Sequence, residues 1–166
     1  MAHPQLKVYT NKDYYSNLCK KEEARYIEFD NAATDLKNRD LSNVDLRNYY
    51  CVEIDLSKSI LTWADLRFCL LKKLNLKGAD TTFTDFSHTI IIDSSLKNKD
   101  LSKAIFYHSE FENVNLNKAN LSNLNLRHTI FDKNCTFKNT NFKNTIISKN
   151  TFTDKTNIDL KEAVFI

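Results

Sequence analysis

Apolar residues fall at every fifth position through most of the chain. The series starts at Leu36 and runs through Leu41, Leu46, Cys51, Leu56, Leu61, Leu66, Leu71, Leu76, Thr81, Phe86, Ile91, Leu96, Leu101, Phe106, Phe111, Leu116, Leu121, Leu126 and Phe131. Seventeen of these twenty residues are Leu or Phe, so the spacing is not an accident of composition. A buried helix face needs spacings of three and four, and a half-buried strand needs spacing two. A strict five fits neither, and self-similarity at a short fixed period marks a repeat architecture.

The polar positions follow the same period. The residue before the central one is often Asp or Asn, as at Asp45, Asp55, Asp65, Asn75, Asp85 and Asn115. Two before it the residue is small or β-branched, as at Val44, Ala64, Ala79, Ala104, Val114 and Ala119. The segments Ala64-Asp65-Leu66-Arg67-Phe68 and Ala119-Asn120-Leu121-Ser122-Asn123 resemble the A(D/N)LXX signature of the pentapeptide-repeat family. The resemblance covers about three quarters of the chain.

It implies an all-β fold, a right-handed quadrilateral (four-sided) β-helix solenoid in which each pentapeptide forms one side. Twenty residues then complete a coil, with the central residue and the one two before it pointing inward. Coils stacked about 4.8 Å apart would make a rod on the order of 30 Å long from roughly six coils. Leu36, Leu56, Leu76, Leu96 and Leu116 form one column of its structural core. The repeat region is expected over 29–166, regular from 34 to 132. Register slips are expected near 132–135, where Phe137, Phe142, Ile147 and Phe152 resume after one extra residue, and near 153–158, before Leu160 and Phe165. Residues 1–28 are expected to be a short, partly helical N-terminal cap, with a helix over 13–24 started by Asp13. Such a cap would cover the open end of the coil stack.

Composition sharpens this picture at two points. Gly78 and Pro4 are the single glycine and proline, so Asn must supply turns that glycine usually makes. Net charge is +3, and from Thr34 to Asp132 thirteen acidic residues face thirteen basic ones. That balance disfavours DNA mimicry of the kind that lets quinolone-resistance members of the family bind type II topoisomerases. The excess charge lies beyond Asp132, where six Lys meet three acids.

No apolar run is long enough for a membrane span and Met1–Thr10 lacks signal-peptide features, so a soluble cytoplasmic protein is expected. Delivery into a host cell, as a bacterial effector, has only the Asn- and Lys-rich composition behind it. The four cysteines show no CxxC or zinc spacing and are expected to be free thiols. No phosphate loop, HExxH or nucleophile elbow is present, so no enzymatic activity, no cofactor and no small-molecule substrate are expected.

Columns of residues twenty apart then describe the outer faces. The side centred on Leu36 to Leu116 carries Asp35, Lys37, Lys77, Lys97 and Asn117 and reads as solvated. The side centred on Cys51, Leu71, Ile91, Phe111 and Phe131 presents Tyr50, Val52, Leu70, Ile90, Ile92 and Ile130 outward. This apolar stripe is the candidate interface, for a protein partner or for self-association; a fold of the N-terminal segment over it is the alternative. A secondary surface column holds Phe68, His88, His108 and His128, whose parallel imidazoles diverge rather than converge on a metal. Trp63 and Phe83 are expected to stack on the preceding corner. Arg39 and Lys99 break the pattern, falling at inward positions where an unpaired charge is costly. Their side chains must escape to solvent, or the turn there must distort.

Overall fold

The aspartates and asparagines that precede the central residues act on the backbone. Their Oδ1 atoms accept the N–H two residues ahead, as from Ser57 to Asp55 (2.8 Å), Ser87 to Asp85 (2.8 Å) and Lys77 to Asn75 (3.0 Å). A four-residue turn follows, in which the central carbonyl accepts the N–H three residues later: Ala64 to Leu61 at 2.8 Å, Ala119 to Leu116 at 2.9 Å. The third residue of such a turn needs positive φ, and it has it: 62° at Trp63, 60° at Lys118, 63° at Asn123. Among the described residues, eight of the eighteen non-glycine cases are Asn, the side chain that best tolerates left-handed backbone, and Gly78 takes the position once (φ 71°). Asparagine thus stands in for the missing glycines.

The computed structural model describes residues 8–9, 25–27, 36–154 and 158–166. The cap helix expected over 13–24 lies outside them, as does the centre of the loop expected over 153–158. Repetition of the turn winds the chain into a parallel β-solenoid of about six turns. Three sides are joined between coils by single bridges twenty residues apart: Asp55 to Asn75 on the first side, Asp40 to Ile60 on the second and Asp45 to Asp65 on the third. On the fourth side the backbone stays extended. It forms β3 (Tyr49–Val52), β4 (Leu70–Lys72), β5 (Ile90–Ile92), β6 (Glu110–Glu112) and β7 (Ile130–Phe131), paired parallel in register Leu70 to Ile90 to Glu110 to Ile130.

Two strands from the N-terminal segment, β1 (Val8–Tyr9) and β2 (Arg25–Ile27), complete a seven-stranded sheet ordered β1 to β7. β2 pairs parallel with β3, Tyr26 opposite Tyr50, so it extends the sheet past its edge rather than lying across its face. From Asn115–Thr136 to Phe131–Phe152 the bridge partners are twenty-one apart, one residue having been inserted between Phe131 and Thr136. The last pairing, Ile146 to Val164, is eighteen apart, so the slip expected near 153–158 shortens the final coil. The third side ends in β8 (Ile146–Ile147) paired with β9 (Val164–Phe165).

The core is a stack of layers. Leu56, Leu76, Leu96 and Leu116 are buried in one column, and Leu36, at its first coil, is half-buried. Each fully buried side chain of this size contributes about 1.5–3 kcal/mol. Phenylalanines stack directly along the axis, Phe111 on Phe131 with ring centroids 4.5 Å apart and Phe131 on Phe152 at 5.3 Å. Buried threonines at the small inward positions donate to a central carbonyl of the coil below, as Thr84 to Leu61 (2.8 Å), Thr89 to Leu66 (2.7 Å) and Thr129 to Phe106 (2.6 Å), whereas Ser59 and Ser94 donate within their own coil, to the Leu56 (2.6 Å) and Ile92 (2.7 Å) carbonyls. Cys69 and Cys135 occupy the same positions, their thiols donating to Leu46 (3.0 Å) and Phe111 (3.4 Å) carbonyls.

Arg39 and Lys99 resolve in the same direction. Arg39 is exposed. Lys99 is half-buried and its ammonium donates to the Ala79 carbonyl, one coil below. Its own turn is intact, with Asn98 at φ 58° and the Lys99 N–H on the Leu96 carbonyl at 3.1 Å. Escape past the corner, not distortion of the turn, is therefore the solution. Burial lowers the Lys99 pKa, against the pull of Asp80 and Asp100.

The left-handed positions give a direct test. Lys118, exposed at φ 60°, gains no evident contact from a side chain there. Replacing it by Gly removes a steric cost of about 1–2 kcal/mol and restores about 0.5–1 kcal/mol of unfolded-state entropy. Lys118→Gly is expected to raise the melting temperature slightly, and calorimetry would check the sign.

Candidate interaction surface

Strand alternation sends the residues on either side of each fourth-side central residue outward, which creates two parallel columns. One reads Tyr50, Leu70, Ile90, Glu110, Ile130 and the other Val52, Lys72, Ile92, Glu112, Asp132. The apolar stripe is therefore interrupted, by Lys72 in its second column and by Glu110 and Glu112 above. Tyr50, Val52, Ile90 and Ile92 are half-buried by their neighbours, Ile130 is 41% exposed and Leu70 is closed off at 2%. Leu70 does not belong to the central core cluster, so its burial is on the outer side of the sheet.

The corner between the third and fourth sides carries Phe68, His88, His108 and His128. Their rings form one continuous stack, with centroids 4.8, 5.2 and 4.8 Å apart. Each of these residues occupies the last position of its repeat, and left-handed φ at Phe68, His88 and His108 throws the ring clear of the turn. Tyr107 meets the stack edge-on, 4.2 Å from His108 and 5.4 Å from His128. Stacked rings keep their nitrogens side by side rather than aimed at one point, and no cluster of three or more metal-ligating side chains exists among the described residues. Burial lowers the His88 pKa, helped by His108 and Arg67 and opposed by Asp85.

Sequence reasoning missed part of this surface. Ile105 and Tyr107, on the third side, are 42% and 47% exposed and lie between the histidine corner and the corner that carries Phe83 (39%) and Trp63 (59%). Trp63 and Phe83 stack at 4.4 Å on the other edge of the third side. The signal was available: Ile105 and Tyr107 flank Phe106 at outward positions where most repeats carry Asp and a polar residue. With Ile90 and Ile130 across the corner, apolar surface wraps from the third side to the fourth.

Below Ile105 the third side is ionic. Arg47 grips Asp45 with both ends of its guanidinium (2.9 and 2.8 Å), and Arg67 grips Asp65 likewise (2.8 and 2.6 Å). Each arginine also reaches the next coil, Arg47 to Asp65 at 3.5 Å and Arg67 to Asp85 at 3.7 Å. The acidic column is thereby neutralised along its length. Burial works to raise the Asp65 carboxyl, but the bonds and charge of Arg67, with Arg47, hold it below the usual range.

The buried cysteines and Asp55 have their titration set by the fold. Burial pushes the Cys69 and Cys135 thiols up to about 12 and Cys51 well above its ordinary value. In a Cys19→Ser/Cys135→Ser variant, which leaves only the buried Cys51 and Cys69, thiol reagents at pH 8 are expected to react only on unfolding, and a rapid native reaction would contradict that burial. Burial acts to raise Asp55, but the Ser57 bonds and Lys37, 3.1 Å away, lower it to about 2. A carboxyl depressed in the folded state stabilises above its unfolded pKa of 3.8, and that contribution disappears as pH falls toward about 2. Denaturant titrations of wild type and Asp55→Asn are expected to differ in slope between pH 4 and 2, with the variant flatter.

Comparison with known proteins agrees with this architecture. The family model for pentapeptide repeats matches at 59–98 and 94–132. Among solved structures, a trypsin-treated single-residue variant of QnrB1, a plasmid-mediated fluoroquinolone resistance protein, has a TM-score of 0.53 at 13% identity, covering 78% of each chain. The pentapeptide-repeat protein Rfr23 from the cyanobacterium Cyanothece 51142 is 25% identical over 71% of this chain and 90% of its own, with a TM-score of 0.36. HetL from the cyanobacterium Nostoc sp. strain PCC 7120, involved in heterocyst differentiation regulation, is 21% identical over 68% of this chain and 46% of its own, with a TM-score of 0.37. No curated protein matches in sequence. Period, turn chemistry and coil stacking agree with the family model, which identifies residues 59–132 as a run of pentapeptide repeats.

Proposed function

We propose that this protein is a non-enzymatic interaction scaffold that binds a protein partner through the outer surface around its histidine corner. One observation carries the reading: on a rod whose other outward positions are mostly polar, exposed Tyr107 packs edge-on against the ring stack of His88, His108 and His128, and exposed Ile105 and Ile130 lie within three residues of His108 and His128 along the chain. The stripe of Ile90 and Ile92 continues that surface onto the flat fourth side. Contiguous apolar surface rimmed by polar groups is the usual mark of a protein contact. Two polar recesses, about 300 Å³ beside Lys99 and about 640 Å³ beside Lys138 and Asp154, open to solvent and offer little of the apolar enclosure a small-molecule site uses.

A topoisomerase-binding role of the quinolone-resistance type fits less well. The likeness to QnrB1 is one of fold, and the Asp45–Asp65–Asp85 column lacks the bare negative field that DNA mimicry requires, since Arg47 and Arg67 occupy it.

Ile90→Glu and Tyr107→Glu place a charge in this surface without touching an inward position. Each is expected to abolish partner capture by immobilised protein while leaving the circular dichroism spectrum unchanged. Full retention of the captured partner by both variants would remove this surface as the contact.

A further inference from the structure

We infer that the fourth side is self-complementary and that its occupant is a second copy of this chain, packed face to face with its coils running in the opposite direction. The inference rests on the reading of this surface as a protein contact and adds the partner. Its basis is the order of charge along the second outward column: Lys72, Ile92, Glu112, one residue per coil, in register through β4, β5 and β6. A basic residue lies one coil below an apolar centre and an acidic residue one coil above it. Two copies related by a two-fold axis along the strand direction at Ile92 bring Ile92 against Ile92 and Lys72 against Glu112 of the other copy, twice over. A two-fold axis along the rod instead sets the first column against the second at equal height. It then opposes Glu112 to Glu110 of the copy and gives Lys72 no acid. Charge selects the first arrangement.

Among the described residues, the acidic end of the column also meets mostly like charge. Burial raises the Glu112 pKa, and Glu110, Asp132 and Asp93 raise it further. Lys72 reaches Asp93 at 3.5 Å and keeps 40% of its side chain exposed, so it can face outward as well. Leu70, already closed off, adds no surface. Three-residue strands on a handful of coils make a small contact, toward the weak end of specific interfaces, so association is expected in roughly the micromolar range.

Sedimentation of the full chain across micromolar concentrations tests the proposal. Wild type is expected to pass from monomer to dimer, and about 0.5 M salt is expected to weaken the dimer, because charge pairing contributes to it. Lys72→Glu and Glu112→Lys should each weaken association about tenfold or more, and the combined Lys72→Glu/Glu112→Lys variant should recover it. Within one chain these residues stand two coils, about 10 Å, apart, so recovery reads a contact between copies. A wild type that stays monomeric while Ile90→Glu still loses its captured partner overturns the second copy but leaves the surface reading intact. A dimer indifferent to both charge variants, or not recovered by the pair, overturns the proposed packing.

Discussion

The structure depends on a single backbone event, the left-handed residue that closes each turn. A Leu or Phe at the centre of a pentapeptide points inward only because the chain bends after it, and it bends because the next residue but one accepts positive φ. That conformation costs an ordinary L-residue about 1–2 kcal/mol. The cost is met locally by the Asx bond and the turn bond, and between coils by ladder hydrogen bonds and stacked side chains. No isolated pentapeptide has these partners, so the conformation is stable only in the stack. The stack in turn exists only while its turns hold.

Much of this architecture could be read before any coordinates. The five-residue spacing identified the inward set, and twenty-residue columns placed the His88–His108–His128 stack and the Trp63–Phe83 pair where the rings are found. A repeat makes such reading possible because one local rule, applied again, fixes every coil. Exposure was less legible. Leu70 and Ile90 hold equivalent positions, yet Leu70 is closed off and Ile90 is not, since burial depends on what packs beside a column and not on the column's own residues. The route taken by Lys99 was open for the same reason: its long stem can turn past the corner to the Ala79 carbonyl, a choice that no periodicity records.

Charge on this rod is organised more finely than the overall balance implies. On the third side, acids and arginines alternate up the axis, so each guanidinium closes on its own coil and leans to the next. Exposed pairs of this kind contribute little individually. Their effect is on the character of the surface, which stays charged and hydrated but nearly free of long-range field. On the fourth side the charges are instead segregated along one column, and segregation is what gives a surface direction.

The residue inserted between Phe131 and Thr136 shows how this geometry tolerates change. The extra length is absorbed at one corner, and Phe152 still stacks on Phe131, so the sides above remain aligned with those below. Loss of a whole pentapeptide has no such remedy. It would turn every later coil by one quarter about the rod, moving the imidazoles of one side beneath the carboxylates of another. A corner can therefore take up a residue or so of length without disturbing the columns, whereas a change of one whole side rewrites the outer pattern for everything beyond it.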